Sequence, residues 1–153
     1  MNGTGFRIAL FQPDIAGNTG AILRLAACKG LQVDLIEPAG FETSDKALKR
    51  AGMDYLEICS LQRHPSWEAY DEWRRKEERR LVLFTTRACV PYTAFAFRPG
   101  DILLFGRESS GAPEWVHQAA DHRLVIPIRK EARSLNLAMS AAMAVGEATR
   151  QVG

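Results

Sequence analysis

Three stretches of the chain place residues of chemical use at short spacing. The first is Gly17-Asn18-Thr19-Gly20, with Arg24 one turn further on. Glycines around an amide side chain permit close backbone approach, and a helix starting here would attract anions to its N-terminus. Arg24, near that end, would reach a phosphate or a ribose hydroxyl. The second is Leu103-Leu104-Phe105-Gly106-Arg107-Glu108-Ser109-Ser110-Gly111, a strand-like run entering a glycine turn that displays one carboxylate and two hydroxyls. The third joins Ile126-Pro127-Ile128, the basic run Arg129-Lys130-Glu131-Ala132-Arg133, and Ser134-Leu135-Asn136-Leu137. Each has a plainer reading when taken alone: a helix cap beside a solvated Arg, a polar loop, and Ser134 as the N-cap of a final helix. Asn136 inside a first helical turn fits that plain reading less well, because Asn is a mediocre helix former.

Other chemistries find no support. Gly3-Thr4-Gly5 precedes the first strand, whereas a dinucleotide fingerprint must follow one and open a helix. No G-x-x-x-x-G-K-[ST] occurs, and the run from Gly106 to Gly111 lacks the G-x-S-x-G spacing of a nucleophile elbow. Cys28, Cys59 and Cys89 are odd in number and far apart, and His64, His117 and His122 match no zinc spacing. No apolar run approaches the roughly 20 residues that span a bilayer, and the first residues lack the layout of a secretory signal. The expectation is a reduced, metal-free, cytoplasmic protein with no membrane partner.

The elements that must position the three stretches follow from hydropathy and punctuation. Phe6 to Phe11 reads as a buried strand, and Asn18 or Thr19 as the cap of a helix running to Lys29 with Gly30 as its stop. Leu31 to Ile36 is a second strand, and Ser44 or Asp45 caps a short basic helix over Lys46 to Arg50 that ends at Gly52. Tyr55 to Ser60 is the expected third strand, and Ser66 caps a polar helix through Glu78. Leu81 to Phe84, Asp101 to Phe105 and Leu124 to Ile126 complete six strands. A helix rich in Ala and Met follows from Leu135 to Arg150. Strands alternating with helices predict one α/β domain over residues 1–153, a mostly parallel sheet with helices on both faces. In such sheets ligands bind at the carboxyl ends of the strands, where all three stretches fall.

Together the three stretches resemble the signature motifs of the SpoU branch of the SPOUT methyltransferases. These are N-x-G-x-x-x-R (Asn18, Gly20, Arg24), F-G-x-E-x-x-G (Phe105, Gly106, Glu108, Gly111) and an S-x-N element (Ser134, Leu135, Asn136). Asp45-Lys46 and the run Leu48 to Tyr55 are similar to the small members that methylate the wobble nucleotide of leucine tRNAs. The resemblance implies a C-terminal trefoil knot, S-adenosylmethionine as cofactor, a homodimer with its site near the subunit interface, and the tRNA anticodon stem-loop as partner. It implies that Phe84, Thr85, Gly106, Ile126, Ser134 and Leu135 line the cofactor pocket, with Gly106 bare so that the cofactor approaches its backbone. Arg24, Asn18, Glu108 and Asn136 are the implied catalytic group, Glu108 holding Arg24 or Asn136. Guanidinium is effectively always protonated. The proton acceptor therefore stays open between Arg24, Glu108 and the substrate phosphate. A 2′-O-methyltransferase of another tRNA or rRNA site, or a non-catalytic RNA-binding protein on the same scaffold, are the alternatives. Three departures stand out: Ala16-Gly17 where the approach to Asn18 is often Pro-rich, Arg107 in place of a frequent Pro, and Ala132 in place of a small hydroxyl residue. Arg107 either adds an RNA contact or salt-bridges locally, the second being the expectation.

Charge fits this picture once it is divided. The net charge is +2, from 20 basic and 18 acidic residues, which alone argues against a polyanion partner. Fifteen of the twenty are Arg, the residue suited to bidentate phosphate contacts. Arg123, Arg129, Lys130 and Arg133 form one basic group, and Lys46, Lys49 and Arg50 another. Arg24, Lys46, Arg50, Arg129 and Arg133 are the expected RNA contacts. The run from Arg74 to Arg80 reads as a solvated helix end.

Overall fold

The computed structural model describes residues 5–50 and 58–153. Seven strands and five helices follow in chain order: β1 (Arg7–Phe11), α1 (Ala16–Lys29), β2 (Gln32–Ile36), α2 (Asp45–Arg50), β3 (Ser60–His64), α3 (Trp67–Lys76), β4 (Leu81–Phe84), β5 (Val90–Pro91), β6 (Ile102–Phe105), α4 (Glu114–Ala119), β7 (His122–Val125) and α5 (Leu137–Val152). The strands form one sheet in the order β3-β2-β1-β6-β4-β7-β5, and every pairing between them is parallel. The α/β expectation therefore holds, with the sheet fully parallel over its described strands.

Burial explains the layering. β1, β4 and β6 are buried at every residue, as expected of central parallel strands covered on both faces. On one face Ile8, Leu10, Val82 and Leu103 meet Ile22 and Leu23 of α1 and Ala141, Ala144 and Val145 of α5. On the other, Ala9, Phe11, Leu83 and Leu104 meet Trp67 and Tyr70 of α3 and Val116 of α4. Each fully buried Leu or Ile contributes about 1.5–3 kcal/mol, so the two-sided core dominates stability.

Several boundaries differ from the sequence expectation for identifiable reasons. α1 starts at Ala16, capped by the backbone of Ile15 with no side-chain cap, so Asn18 and Thr19 lie in its first turn and are not caps. It ends as expected at Gly30, in the left-handed region at φ 68°. The third strand lies at Ser60–His64 and not at Tyr55 to Ser60. Residues 55–57 fall outside the described residues, as does Gly52, and Ile58 is 70% exposed. β3 is a half-polar edge strand, so the apolar run before it is a misleading marker. Ser44 accepts from the Ala47 N–H and Ser66 from the Ala69 N–H, as expected for caps. The cap of α5 is Asn136, whose side chain accepts from the Met139 N–H, and not Ser134. That removes the difficulty of an Asn inside the helix. β5 and α4 are too short for periodicity to reveal.

The Arg74–Arg80 run is solvated only from Arg75 to Glu78, and its two ends are tied down. Arg74 is 5% exposed and bonds Asp71 and Asp121, and Arg80 makes a two-pronged pair with Asp101. A second buried cluster lies under α3. Asp34, fully buried on β2, accepts from Arg7 Nε at 2.8 Å and Nη2 at 2.6 Å and from the Tyr70 hydroxyl at 2.8 Å.

Candidate functional site

The carboxyl ends of β4, β6 and β7 open into a cavity of about 600 Å³. That volume suits a ligand of drug or cofactor size. Its lining includes all six residues expected to hold a cofactor: Phe84, Thr85, Gly106, Ile126, Ser134 and Leu135. Asn18, Glu108 and Asn136 line it too, as does Arg133. Ile126 and Leu135 are partly open to it, while Phe84 is 8% exposed and stacks on Phe105 at 4.9 Å. Phe84 therefore anchors the wall to the core as well as forming it.

Glycine at 106 is required by the backbone of its own loop. A Cβ there would stand 2.5 Å from the Ala112 nitrogen and 2.6 Å from the Gly111 carbonyl carbon. The missing side chain lets the loop fold back on its own backbone. Arg107 and Gly111 exchange two backbone hydrogen bonds and close that turn. The closed turn is what aims Glu108 at the start of α1.

One hydrogen-bonded chain joins the three motifs. The Asn136 carbonyl oxygen caps α5, which leaves its NH₂ to donate to the Asn18 Oδ1 at 3.1 Å. Asn18 then has its own NH₂ for Glu108 Oε2, at 3.2 Å. The second carboxylate oxygen, Oε1, accepts from the Asp14 N–H at 2.8 Å. Asp14 in turn accepts from the Ser109 N–H at 3.0 Å and from its hydroxyl. Glu108 therefore holds Asn18 directly and Asn136 through it, a correction to the expected contact with Arg24 or Asn136. Residues about 90 and 118 positions apart are locked in register across three loops.

A second pair on the cavity wall escapes sequence reading. The Nδ1 of buried His117 faces the Pro113 carbonyl at 3.2 Å, an acceptor only, so the ring proton sits there. Nε2 is left to accept the Thr85 hydroxyl at 2.9 Å. Thr85 also accepts from the Arg87 N–H, so its hydroxyl is fixed at the mouth of the cavity. His117 stands on α4, an element too short to predict, and no spacing links it to Thr85.

The remaining expected residues are not gathered at this cavity. Arg24 is exposed and does not line it. Six residues past Asn18 at 3.6 per turn, it lies about 120° around the helix. Lys46 and Arg50 are exposed on α2, where Arg50 faces Glu42 at 3.7 Å. Arg129 is exposed and faces Glu131 at 3.6 Å. Arg123 donates to the carbonyls of His117 and Ala120 and so ties down the end of α4. Arg107 makes no local salt bridge among the described residues; it donates to Gln12 and lies over the Phe11 ring. Ala51 to Tyr55, the end of the distinctive segment, lie outside the described residues.

Comparison with known proteins gives a consistent answer. The sequence profile of the SpoU rRNA Methylase family matches residues 5–146. The chain is 58% identical over 146 residues to the tRNA (cytidine(34)-2′-O)-methyltransferase of Beijerinckia indica, covering 95% of this chain and 91% of that one. It is 38% identical over 148 residues to the Escherichia coli protein of the same name, covering 95% and 93%. Among solved structures, one reported for 2′-OH methylation of C/U34 on tRNA superposes with a TM-score of 0.88 at 39% identity, covering 98% of this chain and 97% of the other. An AdoMet-bound rRNA methyltransferase from Sinorhizobium meliloti superposes with a TM-score of 0.83 at 27% identity, covering 95% and 56%.

Proposed function

Because the chain belongs to the SpoU rRNA methylase family, we propose that it is a tRNA 2′-O-methyltransferase acting at the wobble nucleotide, cytidine or uridine 34, of leucine tRNAs. The observation that carries this reading is the chain Asn136–Asn18–Glu108, in which three separate motifs meet side chain to side chain on one cavity. The relatives named for cytidine 34 supply the substrate class.

The cavity fits S-adenosylmethionine: it combines apolar walls at Phe84, Ile126 and Leu135 with hydroxyls at Thr85 and Ser134. When bound, the cofactor supplies an electrophilic methyl group on a sulfonium. Those residues would hold it, with the Gly106 turn as the fixed edge of the pocket. The ribose hydroxyl is a poor nucleophile, so this chain's own task is to orient it and to place its proton. Both Glu108 oxygens already accept hydrogen bonds, so Glu108 acts by positioning Asn18 and Asn136 at the reacting face. The proton goes to a phosphate of the substrate itself, held by Arg24.

For that role Arg24 must work at the cavity of a second copy. The exposed positions Gly17, Ala21 and Arg24 share one face of α1, and Leu135 just before α5 and Met139 and Met143 on it stand 38%, 63% and 42% exposed. An apolar stripe of that kind beside a face of small residues supports a homodimer, and a tRNA substrate fits a cytoplasmic protein. The interleaved order β6-β4-β7 and the return of α5 against α1 support reading the C-terminal part as a trefoil knot. Lys46, Arg50, Arg129 and Arg133 then contact RNA phosphates, supplying affinity more than specificity.

Incubation with labelled S-adenosylmethionine and total tRNA tests the reading. Label is expected on the ribose of nucleotide 34 of leucine tRNAs. Label on a base, or on other RNAs only, would overturn it.

A further inference from the structure

Trp115 is the one aromatic side chain among the described residues that stands exposed, at 48%. It sits at the second position of α4, just past the loop that carries Glu108. Its inner edge is fixed, since the ring meets Phe11 at 5.7 Å and Trp67 at 5.9 Å. Those rings meet it at 75° and 59°, so neither lies flat against the indole. The guanidinium of Arg107 stands 5.4 Å from the centre of the same Phe11 ring. Its described partner is the neutral side chain of Gln12, its Nε is buried without a bond, and no described carboxylate lies within ion-pair distance. By contrast Arg87, the next cation along the rim, is neutralised by Glu114 at 2.6 Å, and that bond holds the Glu114 carboxyl below its ordinary range. Arg107 also lines the cavity, so an open indole and an unneutralised cation flank Phe11 directly outside the reacting centre.

A flat π surface beside a lone guanidinium matches the two ends of a single nucleotide. Unpaired RNA bases stack on aromatic side chains, and guanidinium groups bind phosphate. We infer that Trp115 and Arg107 form a subsite for one unpaired RNA nucleotide flanking the methylated one, its base stacked on Trp115 and its phosphate bonded by Arg107. This inference rests on the RNA-methyltransferase reading above and extends it to two residues that the motifs do not include. The subsite restrains the loop of the substrate while the cavity holds the target ribose.

The test uses the full chain and a fluorescein-labelled leucine-tRNA anticodon stem-loop, with affinity read by anisotropy and methyl transfer read as kcat and KM. Trp115→Leu keeps an apolar contact with Phe11 and Trp67 but has no π face, and Trp115→Phe restores one. Trp115→Leu and Trp115→Ala are expected to weaken RNA binding and raise KM about tenfold, with kcat within about twofold of wild type, while Trp115→Phe recovers most of the loss. Arg107→Ala is expected to weaken binding and to reduce the log–log salt slope by about 0.7. S-adenosylmethionine affinity by calorimetry should not change in the Trp115 variants, since Trp115 does not line the cavity. Wild-type affinity and KM in Trp115→Leu overturn the subsite. So does a variant that keeps RNA affinity but loses the dimer in sedimentation, which assigns Trp115 to a protein interface. A wild-type protein that neither binds nor methylates the RNA defeats the underlying reading instead, a result distinct from either.

Discussion

Two polar clusters in this protein use a carboxylate in the same way and to opposite ends. Under α3, Asp34 gathers Arg7, Tyr70 and His64 from β1, α3 and β3, and it has no exposed surface. At the cavity, Glu108 gathers Asp14, Asn18 and, through it, Asn136, and is partly open. The first carboxylate is met by a guanidinium, which offsets the cost of burying its charge. The second is met by an amide and a backbone N–H, neutral groups that fix its direction without neutralising it. A charge sealed and paired in the interior serves the fold; a charge aimed, unpaired and next to a cavity is free to serve a reaction.

The largest effect that would sharpen this contrast comes from Asp34→Ala. Removing one partner of a buried pair leaves Arg7 charged and uncompensated, at a cost of about 3–5 kcal/mol. That is a large share of the 5–15 kcal/mol typical of a domain. Urea unfolding should show it as a lower midpoint with little change in slope. A loss under about 1 kcal/mol would break the comparison, since Asp34 would then be no more structural than a surface group.

Glu108→Gln is the counterpart at the cavity. It keeps the size of the side chain but turns one acceptor into a donor, facing either the Asn18 amide or the Asp14 N–H. Methyl transfer is expected to fall about 10- to 100-fold, while stability falls by under about 1 kcal/mol because the site is partly solvated. Equal destabilisation by Glu108→Gln and Asp34→Ala would show that both clusters are structural.

The two clusters were unequally legible in the sequence. Asn18, Glu108 and Asn136 stand in short motifs, because a site built on loops at strand ends concentrates its chemistry in a few residues after each strand. The hydrogen bonds between them join residues up to 118 positions apart, and no spacing encodes those. The Asp34 cluster left no trace, since one polar residue inside an apolar strand looks like noise until its partners are known. Arg74 misled for the same reason: its partner Asp121 lies 47 residues away, so a run of charges read as solvated. β4 matched its expected bounds because a central strand is apolar at every position. β3 did not, because an edge strand alternates. Arg24 belongs to a motif but does not line the cavity, and the spacing of the motif did not show that.

Asn136→Ala should give a smaller, mixed result, because Asn136 has both kinds of duty. Its carbonyl caps α5 and its NH₂ holds Asn18. Loss of the cap costs about 1 kcal/mol. Asn136→Asp keeps an acceptor for the Met139 N–H but removes the donor to Asn18. It is therefore expected to retain most of the stability while losing methyl transfer as Asn136→Ala does. Recovery of activity in Asn136→Asp would show that the cap, and not the link to Asn18, is what the reaction needs.

The smallest effect is a pH dependence that the sealed cluster should carry. Burial pushes the Asp34 carboxyl up, but His64, Arg7 and Tyr70 around it more than offset this and hold it below the ordinary carboxylate range. His64 Nε2 stands 3.6 Å away, beyond hydrogen-bond reach, so the directed bonds come from Arg7 and Tyr70. A carboxyl whose folded value lies below its unfolded one binds protons more readily when the chain is unfolded. Its contribution is therefore complete above the unfolded value, about pH 4, and drains away as pH falls through the lower folded value. Unfolding free energy measured from pH 6 down to pH 2 should thus bend downward below about pH 4, and the bend should be shallower in Asp34→Asn, which cannot titrate there. A bend of full wild-type depth in Asp34→Asn would show that Asp34 does not carry it.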